Sequence, residues 1–200
     1  MVVDQNFLRV RKIFISVVLF LIPLNISFAE NLNFEKIVDL NDPWGSTFID
    51  KNNLLITEKS GKIKLINLDS KKISEINHNL KFREHGQGGL LDILFKDNFV
   101  YISYTENRGN QKTSTSIAKA NYNKKNLVFK NIFQANPPID SGYHFGSRLA
   151  IKDNYLFASA GERGQGMIAQ DPTKHPGSII RINTDGSIPK DNPKFIDKSD

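Results

Sequence analysis

The chain has no cysteine. Disulfides, zinc-thiolate sites, iron–sulfur clusters and thiol nucleophiles are therefore excluded together. Helical periodicity is nearly absent too, since no long segment keeps apolar residues at three- and four-residue spacing. The apolar runs are short, rich in β-branched and aromatic residues, and divided by clusters of Gly, Asn, Asp and Lys, which predicts an all-β chain. A block of one charge sign is also missing. The formal net charge is +6, and the cations are scattered singly or in pairs such as Lys71-Lys72 and Lys124-Lys125. Without a basic patch or interleaved aromatics, nucleic acid is not an expected partner; lysines guarding solvated strand edges explain the charge.

The apolar run Ile13–Leu24 falls short of the roughly 20 residues that span a bilayer. Arg9, Arg11 and Lys12 precede it, and Ser27-Phe28-Ala29 places small residues at the −3 and −1 positions of a cleavage site. Residues 1–29 thus read as a signal peptide, with no transmembrane segment after cleavage and a periplasmic or secreted location. Val10 separates the two arginines, so a twin-arginine signal is not supported. Cleavage leaves 24 basic and 20 acidic residues, or +4. Export without disulfides suits a bacterial periplasm and leaves stability to the core.

Within residues 30–200 one phrase returns three times. Each copy is a glycine, an apolar strand, a polar turn and a second apolar strand. The copies begin at Trp44-Gly45-Ser46, Gly88-Gly89-Leu90 and Phe145-Gly146-Ser147; their turns are Asp50-Lys51-Asn52, Lys96-Asp97-Asn98 and Lys152-Asp153-Asn154. Further strands follow: Lys62–Leu68 with Ile73–Ile76, Ser116–Tyr122 with Leu127–Phe133, and Ser178–Asn183. The glycine spacings, 44 residues from Gly45 to Gly89 and 57 from Gly89 to Gly146, match four-stranded β-propeller blades lengthened by loops. A propeller closes with about four to eight blades. Three repeats therefore lead to the expectation that residues 30–200 are the N-terminal half of a propeller domain.

Gly142-Tyr143-His144-Phe145-Gly146-Ser147-Arg148-Leu149 carries the best candidate for chemistry. It presents a histidine where a glycine-punctuated loop enters a strand, an accessible position for a general base. The competing reading is a structural histidine. His78, His85 and His175 are isolated and read as solvent-exposed. Asp185-Gly186 reads as a hairpin turn, because the remaining acidic spacing of a calcium loop is missing.

From Pro43 to Phe195 the ordered phrases resemble the soluble quinoprotein sugar dehydrogenases, the glucose/sorbosone dehydrogenase group, and among them most closely the periplasmic aldose sugar dehydrogenases. The matching strings are Pro43-Trp44-Gly45, Leu55–Ile63, Gly86-Gln87-Gly88-Gly89-Leu90-Leu91-Asp92, Tyr101-Ile102-Ser103-Tyr104, His144–Leu149, Gly161-Glu162-Arg163-Gly164, Ala169-Gln170-Asp171-Pro172 and Ile180–Pro193. Each is weak alone; their order along the chain makes the match specific. The resemblance implies a six-bladed propeller that binds pyrroloquinoline quinone (PQQ) and calcium. It also implies oxidation of an aldose sugar at C1 to the lactone, with electrons passed to an external acceptor.

On that resemblance His144 is the catalytic base and Gln87 an active-site amide. Glu162 falls at an acidic position beside the sugar. Tyr143 stands where glucose-type relatives carry an acid, which leaves sugar preference open. Arg148, four residues beyond His144, would share its face if the segment is extended, and would at best lie behind the residues that touch substrate. Structural readings stand beside these: a turn-stabilising Gln87 and a surface Glu162. The groups that hold the PQQ carboxylates and calcium are expected in later blades. Two rival functions remain, a non-enzymatic exported propeller binding module and a lactonase; the latter needs a ring of carboxylate or amide metal ligands that the blade-start loops do not display.

Overall fold

A computed structural model describes residues 33–193. The chain divides into two compact units, Met1–Lys36 and Ile37–Asp200. Of the first, only residues 33–36 are described, without regular structure; the expected signal peptide lies outside the described residues. All the strands described belong to the second unit.

They form three sheets, one for each repeat. The first runs β1 (Pro43–Asp50), β2 (Asn53–Glu58), β3 (Lys62–Asn67) and β4 (Ile73–His78), antiparallel throughout. The second runs β5 (Leu90–Lys96), β6 (Phe99–Asn107), β7 (Thr113–Asn121) and β9 (Lys130–Gln134), also antiparallel. The third contains β10 (Gly146–Lys152), β11 (Tyr155–Ala160) and β12 (Ile179–Asn183). β5 packs against both β1 and β10, so the first strands of successive blades line one side of the stack. The all-β blade architecture read from the repeats is what the chain adopts, four antiparallel strands in each of the first two blades and three among the described residues of the third.

One strand assignment needs correction. Leu127–Phe133 does not form a single fourth strand. Asn126–Leu127 (β8) instead pairs in parallel with Asn77–His78 of the first blade. Leu127 is fully buried in the core between the first two blades, and the Asn79 side-chain amide caps both polar groups of the Phe129 backbone, at 3.1 and 2.8 Å. Local burial and an amide cap break the run, and only Lys130–Gln134 continues the sheet.

The middle blade explains why β6 is apolar on both faces. Val100, Ile102 and Tyr104 pack toward the first blade with Leu55, Ile63 and Leu90, whereas Tyr101 packs toward the third with Leu149, Leu156 and Ile180. Two-residue alternation separates the sets, and each fully buried aliphatic side chain contributes about 1.5–3 kcal/mol.

Polar seams join the blades within this apolar frame. The Thr57 hydroxyl accepts the Gly45 N–H at 3.0 Å and donates to the Leu91 carbonyl of the next blade. Ser103 repeats the pattern, accepting the Asp92 N–H at 2.9 Å and donating to the Ser147 carbonyl at 2.6 Å. Ser159 of the third blade accepts the Arg148 N–H at 3.2 Å in the equivalent place. Gly45 is required at the first seam, because a Cβ there would lie 2.7 Å from the Asp92 Cα.

Candidate active site

Three loops converge at one end of the second and third blades: Gly86–Gly89 before β5, Gly142–Phe145 before β10, and Gly161–Gly164 after β11. Their approach depends on glycine. A Cβ on Gly86 would sit 2.5 Å from the Gly142 carbonyl oxygen, and one on Gly161 would sit 2.0 Å from that of His144. The loops are stitched by the Gln87 N–H donating to Gly142 O at 2.8 Å and the Gly161 N–H donating to Phe145 O at 3.1 Å.

His144 lies in this junction in the left-handed region, at φ 48°. A non-glycine residue seldom adopts that conformation unless its surroundings impose it. Here the His144 N–H donates to the Gln87 side-chain oxygen at 2.9 Å, and the His144 carbonyl accepts the Arg163 N–H at 3.3 Å. The backbone is thus gripped on both sides while the ring, 54% exposed, stays open to solvent.

Nδ1 of that ring is in a short contact with Glu162 Oε1. The same carboxylate oxygen accepts the Gly164 N–H at 3.0 Å. The hydrogen bond from His144, helped by backbone N–H donors, holds the Glu162 carboxyl below its usual range, so it is ionised at neutral pH. An ionised partner accepts only, which places the proton of a neutral ring on Nδ1 and leaves the Nε2 lone pair outward. Nε2 has no hydrogen-bond partner among the described residues. The Gln87 NH2 likewise has none among them, although its oxygen is engaged. Tyr143, 62% exposed, presents its ring edgewise to the imidazole with centroids 6.2 Å apart.

His144, Glu162, Gln87 and Tyr143 are therefore brought together. Arg148 is not. The extended geometry that would align it with His144 fails because His144, Gly146 and Ser147 all have positive φ. Its guanidinium turns to Asp92 Oδ1 at 2.9 Å and lies 5.1 Å over the Trp44 ring. Asp92, 5% exposed at the side chain, also accepts the Leu149 N–H at 2.7 Å, so Arg148 belongs to the seam between blades.

The other histidines also depart from expectation. His78, His85 and His175 are half-buried, not solvent-exposed. His78 Nε2 meets Gly61 O at 2.8 Å, and His175 Nδ1 accepts the Asn136 N–H at 2.9 Å. They anchor turns. Asp185-Gly186 is the expected turn, with Gly186 at φ 93° and the Ser187 N–H on Asp185 Oδ1 at 2.9 Å.

Two participants escaped the sequence reading. Asp92 closes the Gly86–Asp92 motif, but nothing in the sequence marks it as a buried carboxylate. Arg163 follows Glu162 between two glycines, where nothing in the sequence marks burial; it is 2% exposed. Among the described residues no three His, Asp or Glu side chains form a group that could hold a metal ion, and no helix is long and apolar enough to cross a membrane.

Fold and site together define the class: a β-propeller presenting an exposed histidine–carboxylate pair where adjacent blades meet. The Glucose / Sorbosone dehydrogenase family profile matches residues 40–200. Aldose sugar dehydrogenase YliI of Escherichia coli (strain K12) is 31% identical over 206 residues, covering 98% of this chain and 54% of that protein. The crystal structure of the soluble E. coli aldose sugar dehydrogenase in its apo-form superimposes with TM-score 0.73 at 31% identity, covering 77% of this chain and 47% of the other. The PQQ-bound aldose sugar dehydrogenase of Streptomyces coelicolor gives TM-score 0.69 at 25% identity, with coverage of 78% and 48%. This chain belongs to the glucose/sorbosone dehydrogenase family. It spans about half the length of these relatives.

Proposed function

We propose that the whole protein is an exported, PQQ-dependent aldose sugar dehydrogenase that oxidises the C1 hydroxyl of an aldose to the lactone and passes electrons to an external acceptor. The observation that carries this reading is His144: Nδ1 is tied to an ionised Glu162, while Nε2 has no partner among the described residues on a half-exposed ring. That nitrogen is the general base. It takes the C1 hydroxyl proton, and Glu162 stabilises the resulting imidazolium by accepting from Nδ1–H. When bound, PQQ supplies the two-electron acceptor that makes sugar oxidation possible.

The residues present fit that cofactor. The Gln87 NH2 donor and the exposed Tyr143 ring flank His144, offering a hydrogen bond and an aromatic edge to a planar, oxygen-rich ligand or its sugar partner. Calcium ligands and the cations for the PQQ carboxylates are assigned to parts of the whole protein beyond the described residues. Residues 1–29 are assigned to export, which places the enzyme in the periplasm or outside the cell.

The test is reconstitution of the intact natural protein with PQQ and calcium, followed by steady-state oxidation of a panel of aldoses with a dye acceptor. Lactone formation dependent on added PQQ is expected. Aldose binding without turnover, despite saturable PQQ uptake, would replace this reading with that of a binding module.

A further inference from the structure

The buried cation of the His144 junction is unused by this mechanism. Arg163 sits immediately after Glu162, at φ 59°. Its guanidinium donates from Nε to Tyr143 O at 3.0 Å, from Nη1 to Thr113 O at 3.2 Å, and from Nη2 to the Thr113 hydroxyl at 2.8 Å and to Ser141 O. Its central carbon lies 3.7 Å from the centroid of the Phe145 ring. Among the described residues no carboxylate pairs with it. Carbonyls, one hydroxyl and an aromatic face balance a charge removed from water, an arrangement suited to the planar, five-donor guanidinium and not to an ammonium.

We propose that Arg163 is the positioning residue for the His144–Glu162 pair. It pins the loop at Ser141 and Tyr143, immediately before His144, and stacks on Phe145, immediately after it. Its own N–H holds the His144 carbonyl. The guanidinium is itself anchored on Thr113, the first residue of β7 in the second blade. A left-handed histidine is thereby locked between fixed neighbours, and the Arg163 backbone fixes Glu162 by direct chain connection. Burial pushes the guanidinium down to about 10, so it stays charged at neutral pH and keeps all its donors. The proposal rests on His144 as the base only for its consequence on turnover; the geometry stands without it.

Arg163→Lys in the intact protein is the discriminating variant, because an ammonium retains charge but loses the planar fork. Turnover is expected to fall about 100-fold with little change in KM for the aldose, the usual cost of misplacing a reacting group by about 1 Å. Side-chain 15N spectra of His144 provide a second readout. In the wild type the neutral ring is expected as the Nδ1–H tautomer, and in Arg163→Lys as an averaged pair of tautomers. A folded variant with wild-type tautomer and wild-type kcat overturns the proposal, as does a lowered melting temperature with an unchanged tautomer. If Arg163→Lys fails to fold, Thr113→Val decides, since it removes one acceptor while keeping shape. A several-fold fall in kcat with a partial tautomer shift supports the clamp, and no change in either overturns it. Absence of sugar oxidation in the wild type would remove the proposed function, yet the imidazole spectra would still decide the role of Arg163.

Discussion

Along β5 and β10 two kinds of junction between the second and third blades lie within a few residues of each other, and they treat polar groups in opposite ways. At the seam, Ser103, Asp92 and the Leu149 N–H are buried and mutually paired. At the loop end, His144 is exposed, Nε2 and the Gln87 NH2 lack partners among the described residues, and His144 and Arg163 both carry positive φ. The seam satisfies the rule that buried polar groups find partners; the loops depart from local conformational preference. Such departures persist only where surrounding structure enforces them, so the contrast separates the residues that hold the blades together from those the proposed mechanism would use.

Replacing His144 by alanine is the sharpest test of that separation. Turnover is expected to fall by about 10²–10⁴-fold, the contribution of a positioned base. The melting temperature is expected to hold, because the ring is exposed and its loop is gripped through the backbone. PQQ titration and thermal melts of both proteins check this; equal turnover removes His144 from the mechanism.

Glu162→Gln is expected to have a smaller effect on the same side of the divide. The amide keeps the shape but can donate to Nδ1 and turn the ring to the wrong tautomer, lowering kcat by roughly 10–100-fold. Steady-state kinetics measure it, and a change confined to KM would show that Glu162 contacts sugar without orienting the base.

The seam is expected to respond in the reverse sense. Ser103→Ala leaves the buried Asp92 N–H and Ser147 carbonyl each without its partner, costing about 1–3 kcal/mol for such unsatisfied groups. Urea unfolding of the intact protein measures the loss. Turnover per folded molecule should remain near wild type, and a large fall in kcat at unchanged stability would erase the distinction between the two junctions.

Much of this was legible in the chain because repetition exposes architecture. Three returning phrases located the first two strands of each blade, and the ordered motifs pointed to His144, Gln87 and Glu162. The seam left a signal as well: Thr57, Ser103 and Ser159 are the polar residues at corresponding places in the second strand of each phrase. Their meaning requires the neighbouring blade, since the Thr57 and Ser103 hydroxyls each donate to a strand start of the next blade. Arg148 was misread because alternation assumes extended backbone, and the left-handed residues at 144, 146 and 147 interrupt it. Arg163 was hidden for a different reason: nothing local distinguishes a loop cation from one roofed by Phe145 and Thr113. The split at Leu127–Phe133 depended on an amide from another blade, which periodicity does not report.

Acid provides the gentlest probe of the comparison. Glu162 has its carboxyl held below 4.5, chiefly by the His144 hydrogen bond; Glu75, on the first blade, is lowered chiefly by its hydrogen bond from Lys64 at 2.8 Å. A carboxyl with a depressed folded-state pKa leaves the folded protein with fewer bound protons than the unfolded chain between the two values. Its stabilising contribution is therefore complete above about 4.5 and disappears as pH falls through the lowered value. Stability should stay nearly level from pH 7 to about 5 and decline below that in the wild type. Because both pairs are partly exposed and screened, each contributes little. Glu162→Gln removes one such group, so at pH 6 it should melt slightly below the wild type, and at a pH below the lowered Glu162 value the gap should close. Paired thermal melts at the two pH values test this. A gap that stays constant with pH would mean that Glu162 supports the loop by shape alone, and that its charge acts on the imidazole without stabilising the fold.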